Sequence, residues 1–329
     1  MIEQRIPTVS IIIPTLNEAK NISRVLDSLM DDFVRKEAEI LFADAQSTDG
    51  TRDIIRGLSR ENPSIRLIDN PEKYQVFGLN RAIREARGRY IVRADAHSLY
   101  PKEYVRRCVQ LLEETGAWNA GGVMAPRGDT FFQSAVALAM RHPVGVGDAR
   151  FHLGNFSGYV DTVYLGAFPK EVFDRIGLFD PNNITNEDGE LNLRILKAGG
   201  TIYLDGSLEV IYTPRNSLTA LARQYFRYGR GRCYTSLKHK RMTSWRQAAP
   251  VLLVPGLTVS IAAGLFFPLF FLIPAAYWMS LTLIGLLSRT GGTLFDRRRL
   301  ILGTLFAVMH TCWGTGFLSY ILFRSSRKK

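Results

Sequence analysis

The chain has 329 residues, 42 of them Lys or Arg and 30 Asp or Glu, for a formal charge of +12, and at roughly 100–200 residues per domain it holds one large domain or two. Residues 1–214 carry 25 basic and 29 acidic side chains, whereas residues 215–329 carry 17 basic ones and a single acid, Asp296. The excess positive charge therefore flanks the longest uncharged runs, which excludes a nucleic-acid groove and points to a membrane protein, and a content of 46% hydrophobic residues excludes disorder.

Cys108, Cys233 and Cys312 are odd in number and far apart, so neither a disulfide framework nor a zinc site is expected. The amino terminus lacks a basic start followed by an apolar run, and no secretory signal is expected. In chain order, residues 9–13 read as a buried strand stopped by Pro14. Asn17 is placed to cap a helix whose apolar positions, Ile22, Val25, Leu26 and Leu29, recur at helical spacing. Residues 39–43 form a second strand, and Thr48-Asp49-Gly50-Thr51 opens a helix through Ile54, Ile55 and Leu58, with Asp49 as its N-cap. A third strand spans 65–68, a helix 76–87 ends at Gly88 as C-cap, and a fourth strand, 90–93, leads into Ala94-Asp95-Ala96-His97. This alternation predicts an α/β domain with a mostly parallel sheet. Residues 135–158 are Gly-rich and without a clear period; His142, Asp148 and His152 are scattered there and make no metal site. A further helix is expected to begin near Leu191.

Leu218, Leu221, Ala222, Tyr225 and Phe226 give residues 215–247 an apolar face with a basic opposite face, suited to a membrane interface. Residues 248–288 carry no charge, and a single helix of that length would be about 60 Å long, twice the hydrocarbon core. Pro268 and Pro274 divide the run into a hairpin of two helices, and residues 300–323 are long enough for a third segment. Lys238, Lys240, Arg241 and Arg246 precede the hairpin, Arg289, Arg297, Arg298 and Arg299 follow it, and Arg324, Arg327, Lys328 and Lys329 close the chain. Positive charge marks the cytoplasmic side, which both ends of the hairpin satisfy. A third span puts the basic tail outside, unless the segment re-enters around Cys312-Trp313-Gly314-Thr315-Gly316; both arrangements stay open. The expected organisation is 1–214, 215–247 and 248–329.

Ligands of such sheets lie beyond the carboxyl ends of the strands, where Pro14, Thr15 and Glu18, then Asp44, then Asp95 and His97 fall. Neither G-x-G-x-x-G nor G-x-x-x-x-G-K-[ST] is present, which disfavours a dehydrogenase or a P-loop ATPase. Five ordered blocks over residues 9–232 stand out: Val9-Ser10-Ile11-Ile12-Ile13-Pro14-Thr15-Leu16-Asn17-Glu18, Asp44-Ala45-Gln46-Ser47-Thr48-Asp49-Gly50-Thr51, Asp95-Ala96-His97, Asn186-Glu187-Asp188 and Gln224-Tyr225-Phe226-Arg227-Tyr228. Together they resemble the family-2 glycosyltransferases with the GT-A nucleotide-sugar-binding fold. Asp95-Ala96-His97 running into Ser98-Leu99-Tyr100-Pro101, with membrane segments behind, is most similar to the succinoglycan-type (ExoA-like) membrane glucosyltransferases. That resemblance implies an inverting, metal-dependent transfer of glucose from UDP-glucose, in β-1,3 linkage, onto a polyprenyl-diphosphate-linked sugar in exopolysaccharide biosynthesis. It also implies a bacterial inner-membrane enzyme with its catalytic domain in the cytoplasm, membrane lipids and other exopolysaccharide enzymes as partners, and no nucleic acid. It carries no signal of oligomeric state.

Displacing a nucleoside diphosphate from an anomeric carbon needs a cation for the pyrophosphate, a carboxylate for the acceptor proton and a grip on the nucleoside. Asp95 and His97 are the candidate ligands for Mg²⁺ or Mn²⁺; most relatives carry a carboxylate at His97, and imidazole suits Mn²⁺ better than Mg²⁺. The resemblance makes Asp188 the base, with Glu187 and Glu190 as competitors, and mutual repulsion among the three would raise its pKa. An acidic helix start stabilised by the helix dipole accounts for one of them whatever the function. The resemblance also assigns Pro14, Thr15, Glu18 and Asp44 to the nucleotide, with Asp95 beside the diphosphate, Arg227 to the leaving diphosphate, and Gln224 and Tyr228 to the sugar side. Asn80 and Arg84 are further candidates for the cleft, Asp161 for the donor sugar, and Arg230 and Arg232 for lipid headgroups. Residues 135–158 are expected on the acceptor side.

Three other readings compete. A polyprenyl-phosphate sugar synthase would need no hydroxyl deprotonated, and a processive synthase would need more membrane spans. An inactive nucleotide-sugar-binding subunit has the replaced carboxylate at His97 as its support.

Overall fold

Short β-branched runs build the sheet of the protein, seen in a computed structural model that describes residues 6–154, 156–240, 247–288 and 296–323. Arg241, Arg246, Arg289, Arg324, Arg327, Lys328 and Lys329, counted above among the basic flanks, lie outside the described residues. The chain divides into two compact units, Met1–Ala125 with Ala149–Tyr212, and Pro126–Asp148 with Thr213–Lys329.

In the first unit, β1 (Val9–Thr15), β2 (Ala38–Asp44), β3 (Ile65–Asp69) and β4 (Tyr90–Arg93) are parallel, as the alternation predicts. Between them run α1 (Ile22–Leu29), α2 (Asp32–Glu37), α3 (Thr51–Glu61) and α4 (Gln75–Glu85). Pro14 does not stop β1. From Pro14 onward β1 pairs with β2 alone, so the missing N–H falls on the side that β4 has already left.

Asn17 caps no helix: it sits at φ 58°, and its side chain accepts from Thr48 N, tying the loop after β1 to the loop after β2. Asp49 does accept from Thr51 N at the start of α3, one residue ahead of the formal cap, and also takes Ala19 N. The helix expected over 76–87 ends at Glu85, where Ala86 turns extended. Gly88 is not its C-cap. A Cβ there would lie 2.5 Å from Ser10 N, so glycine is required by the close passage of β1.

The sheet continues in mostly antiparallel fashion through β5 (Ser98–Leu99), β6 (Asn119–Pro126), β7 (Gly158–Tyr159), β8 (Tyr164–Pro169) and β9 (Ile202–Tyr212), in the order β3-β2-β1-β4-β8-β6-β9-β5 with β7 on β9. Helices α5 (Tyr104–Thr115), α6 (Phe131–Met140), α7 (Pro143–Val146), α8 (Arg150–Leu153), α9 (Glu171–Ile176) and α10 (Glu187–Lys197) complete this stretch. The aperiodic residues 135–158 thus include the end of α6, with α7 and α8, and His142 caps α7 by accepting from Val144 N. Leu191 and Ile195 of α10 join Ile12, Leu41, Ile91, Phe168 and Phe179 in the core, which seats α10 against the sheet.

One buried carboxylate locks the parallel strands at their amino ends. Glu39, 2% exposed, accepts from Ser10 Oγ at 2.7 Å and from Arg87 N at 2.6 Å, and pairs with the Arg87 and Arg66 guanidiniums. Burial alone would raise its pKa, but these donors hold the carboxyl below its ordinary value of 4.5. Its contribution to stability is therefore present above the unfolded carboxylate range and lost as pH falls through the lower folded value. Glu39→Ala is expected to cost about 3 kcal/mol, read as a fall of roughly 5–10 °C in the unfolding midpoint of detergent-purified protein near neutral pH. An unchanged midpoint would remove Glu39 from this role.

In the second unit, α11 (Leu218–His239) packs along α14 (Arg299–Leu322), which also meets α6, α12 (Ala248–Gly264) and α13 (Leu272–Leu287). The expected hairpin is present as α12, a 3-10 turn at Pro268–Phe271, and α13. Among the described residues two helices are long and apolar enough to cross a membrane, Pro268–Leu287 with 20 residues and Arg299–Leu322 with 24; α12, with 17, is shorter. The break considered around 312–316 is absent, because α14 runs through it unbroken. Its glycines serve packing instead: a Cβ at Gly316 would collide with the Phe226 carbonyl of α11, and one at Gly314 with the Pro250 carbonyl of α12. Much of the face of α11 assigned to the membrane interface is thereby taken by protein. Leu221 and Tyr225 are buried, while Arg223, Arg227 and Tyr228 are exposed.

Candidate active site

Strand order reverses between β1 and β4, since β2 and β3 lie on one side of β1 and β4 on the other. The carboxyl ends of these two strands are therefore where an open α/β sheet leaves a crevice. Three loops meet there and are stitched together. Asn17 N donates to Ser47 Oγ, Glu18 N donates to Thr51 Oγ1, and His97 Nδ1 lies 3.4 Å from Glu18 Oε1. Burial would raise the pKa of Glu18, but hydrogen bonds from His97 and Asn21 hold it below the usual value.

Asp44 is fully buried at the end of β2. Its oxygens accept from Ser47 N, Ser47 Oγ, Thr15 Oγ1 and Arg52, and Arg52 also reaches Asp69 at the end of β3. Thr15 and Asp44 are thus brought together, with both side chains turned to the protein. Pro14 and Glu18 stay partly exposed on the same rim.

The centre of the crevice is organised by a residue outside the five ordered blocks. Arg93 ends β4 with its side chain 4% exposed, and its guanidinium contacts three carboxylates: Asp95 at 3.5 Å, Glu187 at 3.2 Å, and Asp188 through Nη1. Burial would depress the Arg93 pKa, but Asp188, Asp95 and Glu187 together push it above the ordinary value. Asp95 is further held by Gln75 Nε2 at 3.4 Å, and its backbone N donates to Tyr100 Oη at 2.6 Å.

Glu187 and Asp188 reach this point because α10 begins at Glu187 and not near Leu191. All three acids of the motif then lie in the first turn, where the helix dipole favours negative charge. Their environments differ. Glu190 is fully buried and paired with Arg194 at 2.9 Å, which removes it from the competition for the base. Asp188 keeps 32% of its side chain exposed, and its pKa is raised to about 7. Burial is the largest cause, opposed by Arg93 and reinforced by Glu187 and Asp95, so the repulsion expected from the sequence is real but secondary to burial. Asn80, expected to line the cleft, is buried and exchanges two hydrogen bonds with the backbone of Phe179, holding the chain that leads to α10. Arg84 and Asp161 are exposed.

The family model for glycosyl transferase family 2 matches residues 10–177. The succinoglycan biosynthesis protein ExoA of Rhizobium meliloti (strain 1021) is 34% identical over 322 residues, covering 95% of this chain and 94% of that protein. The chain belongs to glycosyl transferase family 2. A further relative of this glycosyltransferase, in Methanococcus voltae, is the dolichyl N-acetyl-alpha-D-glucosaminyl phosphate 3-beta-D-2,3-diacetamido-2,3-dideoxy-beta-D-glucuronosyltransferase, 27% identical over 67% of this chain and 71% of that one. Among solved structures, the mannosyltransferase PcManGT from Pyrobaculum calidifontis, in complex with GDP-Man and Mn²⁺, is similar with a TM-score of 0.59 at 20% identity, covering 99% of this chain and 89% of that chain. The fold is the GT-A fold.

Within the glycosyltransferase, no cluster of three or more His, Cys, Asp or Glu among the described residues stands ready for a metal. Asp95 and His97 nevertheless supply an oxygen and a nitrogen donor, side chains of the kind that would hold a divalent cation. An Nδ1–H of His97 turned to the Glu18 carboxylate would leave Nε2 with the lone pair that a metal-ligating imidazole needs. Gln224, Arg227 and Tyr228 lie on α11 in the other unit, where Gln224 Nε2 donates to Tyr228 Oη at 2.7 Å. The signal for Arg93 was present in the sequence: a cation closing an otherwise apolar strand, two residues before Asp95, has to find carboxylates when it is buried.

Proposed function

We propose that the protein transfers glucose from UDP-glucose, with inversion and with Mg²⁺ or Mn²⁺, onto the sugar of a polyprenyl-diphosphate-linked acceptor. The bond formed is β-1,3, the process is exopolysaccharide synthesis, and the place is the cytoplasmic face of a bacterial inner membrane. The observation that carries the reading is the delivery of Asp188, at the start of α10, to the carboxyl end of β4 beside Asp95. The names of the relatives support the finer terms: ExoA acts in succinoglycan biosynthesis, and the Methanococcus enzyme is named for a dolichyl-linked sugar. The two helices able to cross a membrane suit a lipid-borne acceptor.

In this reading the ionised Asp188 accepts the proton of the acceptor hydroxyl as that oxygen attacks the anomeric carbon. The bond from that carbon to the diphosphate breaks, and its electron pair leaves with UDP. Asp95 and His97 would hold the cation, which when bound neutralises the charge developing on the diphosphate. Pro14, Thr15 and Glu18 border the nucleotide, with Asp44 fixing their loop. On the family's pattern Arg227 meets the leaving diphosphate, and Gln224 and Tyr228 the sugar.

The test is a panel of radiolabelled nucleotide sugars presented with polyprenyl diphosphate carrying a single galactose, and separately with polyprenyl phosphate. Label from UDP-glucose in the galactose-bearing lipid, released by a β-1,3-specific glucosidase, is expected. Label transferred to polyprenyl phosphate in its place would overturn the proposal in favour of a polyprenyl-phosphate sugar synthase.

A further inference from the structure

We propose that Arg93 is a positioning residue for sugar transfer, its buried guanidinium aiming the Asp188 carboxylate and tying the first turn of α10 to the end of β4. The proposal rests on Asp188 being the base, and goes beyond it by naming what sets that base in place.

Three observations carry it. First, among the described residues Arg93 is the one partner of both Asp188 and Glu187, whereas Asp95 is also held by Gln75 and, at its backbone, by Tyr100. Without Arg93, nothing on β4 restrains the carboxylates of α10. Second, the contacts use both arms of the fork, Nη1 for Asp188 and Nη2 for Asp95 and Glu187. A planar guanidinium sets the angle between two such partners; an ammonium is a point charge and does not. Third, among the described residues no acceptor meets the buried Arg93 Nε, so the polar contacts that orient the side chain are those of its Nη atoms with the three carboxylates.

The helix core seats α10 through Leu191 and Ile195, but both lie past its first turn. Packing fixes the axis of the helix, and Arg93 fixes the direction in which its acidic end points. A base misdirected by about 1 Å can lose on the order of a hundredfold in rate, which sets the scale of the effect.

The experiment compares Arg93→Lys, Arg93→Met and the double variant Arg93→Met/Asp188→Asn with wild type and Asp188→Asn. All are full-length proteins in detergent, measured for kcat, donor KM, UDP affinity by calorimetry and unfolding midpoint. Arg93→Lys keeps the charge and loses the fork, and is expected to lower kcat at least about tenfold with donor KM and UDP affinity within about threefold. Arg93→Met is expected to lower kcat about a hundredfold, and the double variant to be no slower than Asp188→Asn alone, because Arg93 acts through a base that is already gone. An Arg93→Lys enzyme within threefold of wild-type kcat overturns the proposal, and decides it alone if Arg93→Met does not fold. A double variant far slower than Asp188→Asn also overturns it, by showing that Arg93 acts on something other than the base. A wild-type protein that transfers sugar from no nucleotide donor instead removes the reaction itself, an outcome visible before any variant is compared.

Discussion

Asp188→Asn is expected to lower sugar transfer about a thousandfold while leaving donor binding within about threefold. A positioned base contributes roughly 10²–10⁴ in rate, and asparagine keeps the size of the side chain and an oxygen for Arg93 while losing the basic one. The choice of Asp188 over its neighbours rests on three different environments within one helical turn. Glu190 is spent on Arg194 in the interior, and Glu187 is 9% exposed at its side chain and turned to Arg93. Asp188 alone combines the Arg93 contact with substantial exposure, 32%, the side from which an acceptor hydroxyl can approach. Its raised pKa gives the prediction a second arm. Because a carboxyl accepts a proton only once ionised, kcat should climb as pH rises through a value near neutrality, and the residual activity of Asp188→Asn should lack that limb. Glu187→Gln is expected to be milder, roughly tenfold. Full activity in Asp188→Asn, or a greater loss in Glu187→Gln, would reassign the base; rates at saturating donor across pH 5 to 9 distinguish these outcomes.

Much of the catalytic unit could be read from sequence because its parallel half is local in character. Runs such as Ile11 to Ile13 and Tyr90 to Val92 are buried on both faces and so are continuously apolar, a pattern that needs no knowledge of partners. The antiparallel half was not legible for the opposite reason. Strands β6 and β8 contain Gly121, Gly122 and Gly166, and their register shifts between Ala120 and Gly122, so pairing depends on close backbone passage and not on alternation. At Asn17 and Gly88 the capping expected from residue type fails through the same limitation. Each residue type suits a helix end, but each serves a contact with a distant segment, the loop at Thr48 in one case and Ser10 of β1 in the other. Asp95 and Asp188 were legible as acids in motifs, whereas their meeting was not, because it is made by Arg93, 95 residues from Asp188 in sequence. Asn80 belongs to the same class: its amide serves Phe179, 99 residues away, and no spacing rule connects them.

Removing the cation should also be strongly damaging. Treatment with a chelator is expected to reduce transfer by at least about a hundredfold, since charge on a departing diphosphate is worth several kcal/mol to a divalent ion. Asp95→Ala should match that loss in the presence of metal. Two protein donors are few for a resident ion, and this implies that the cation arrives with the nucleotide sugar; Mn²⁺ affinity measured by calorimetry should therefore be weak alone and strengthen at least about tenfold with UDP. The imidazole of His97 predicts which ion works best. Nitrogen is a better ligand for Mn²⁺ than for Mg²⁺, so Mn²⁺ should restore more activity after chelation, and His97→Asp, which replaces the imidazole with a carboxylate, should narrow the difference. Glu18→Gln tests the same assignment from behind. It removes the carboxylate that orients His97 and should weaken Mn²⁺ binding with UDP by about ten- to a hundredfold without abolishing it. Undiminished transfer in chelator would exclude a metal from the reaction. The charge of the diphosphate would then fall to protein cations alone, of which Arg93, committed to three carboxylates, is not one.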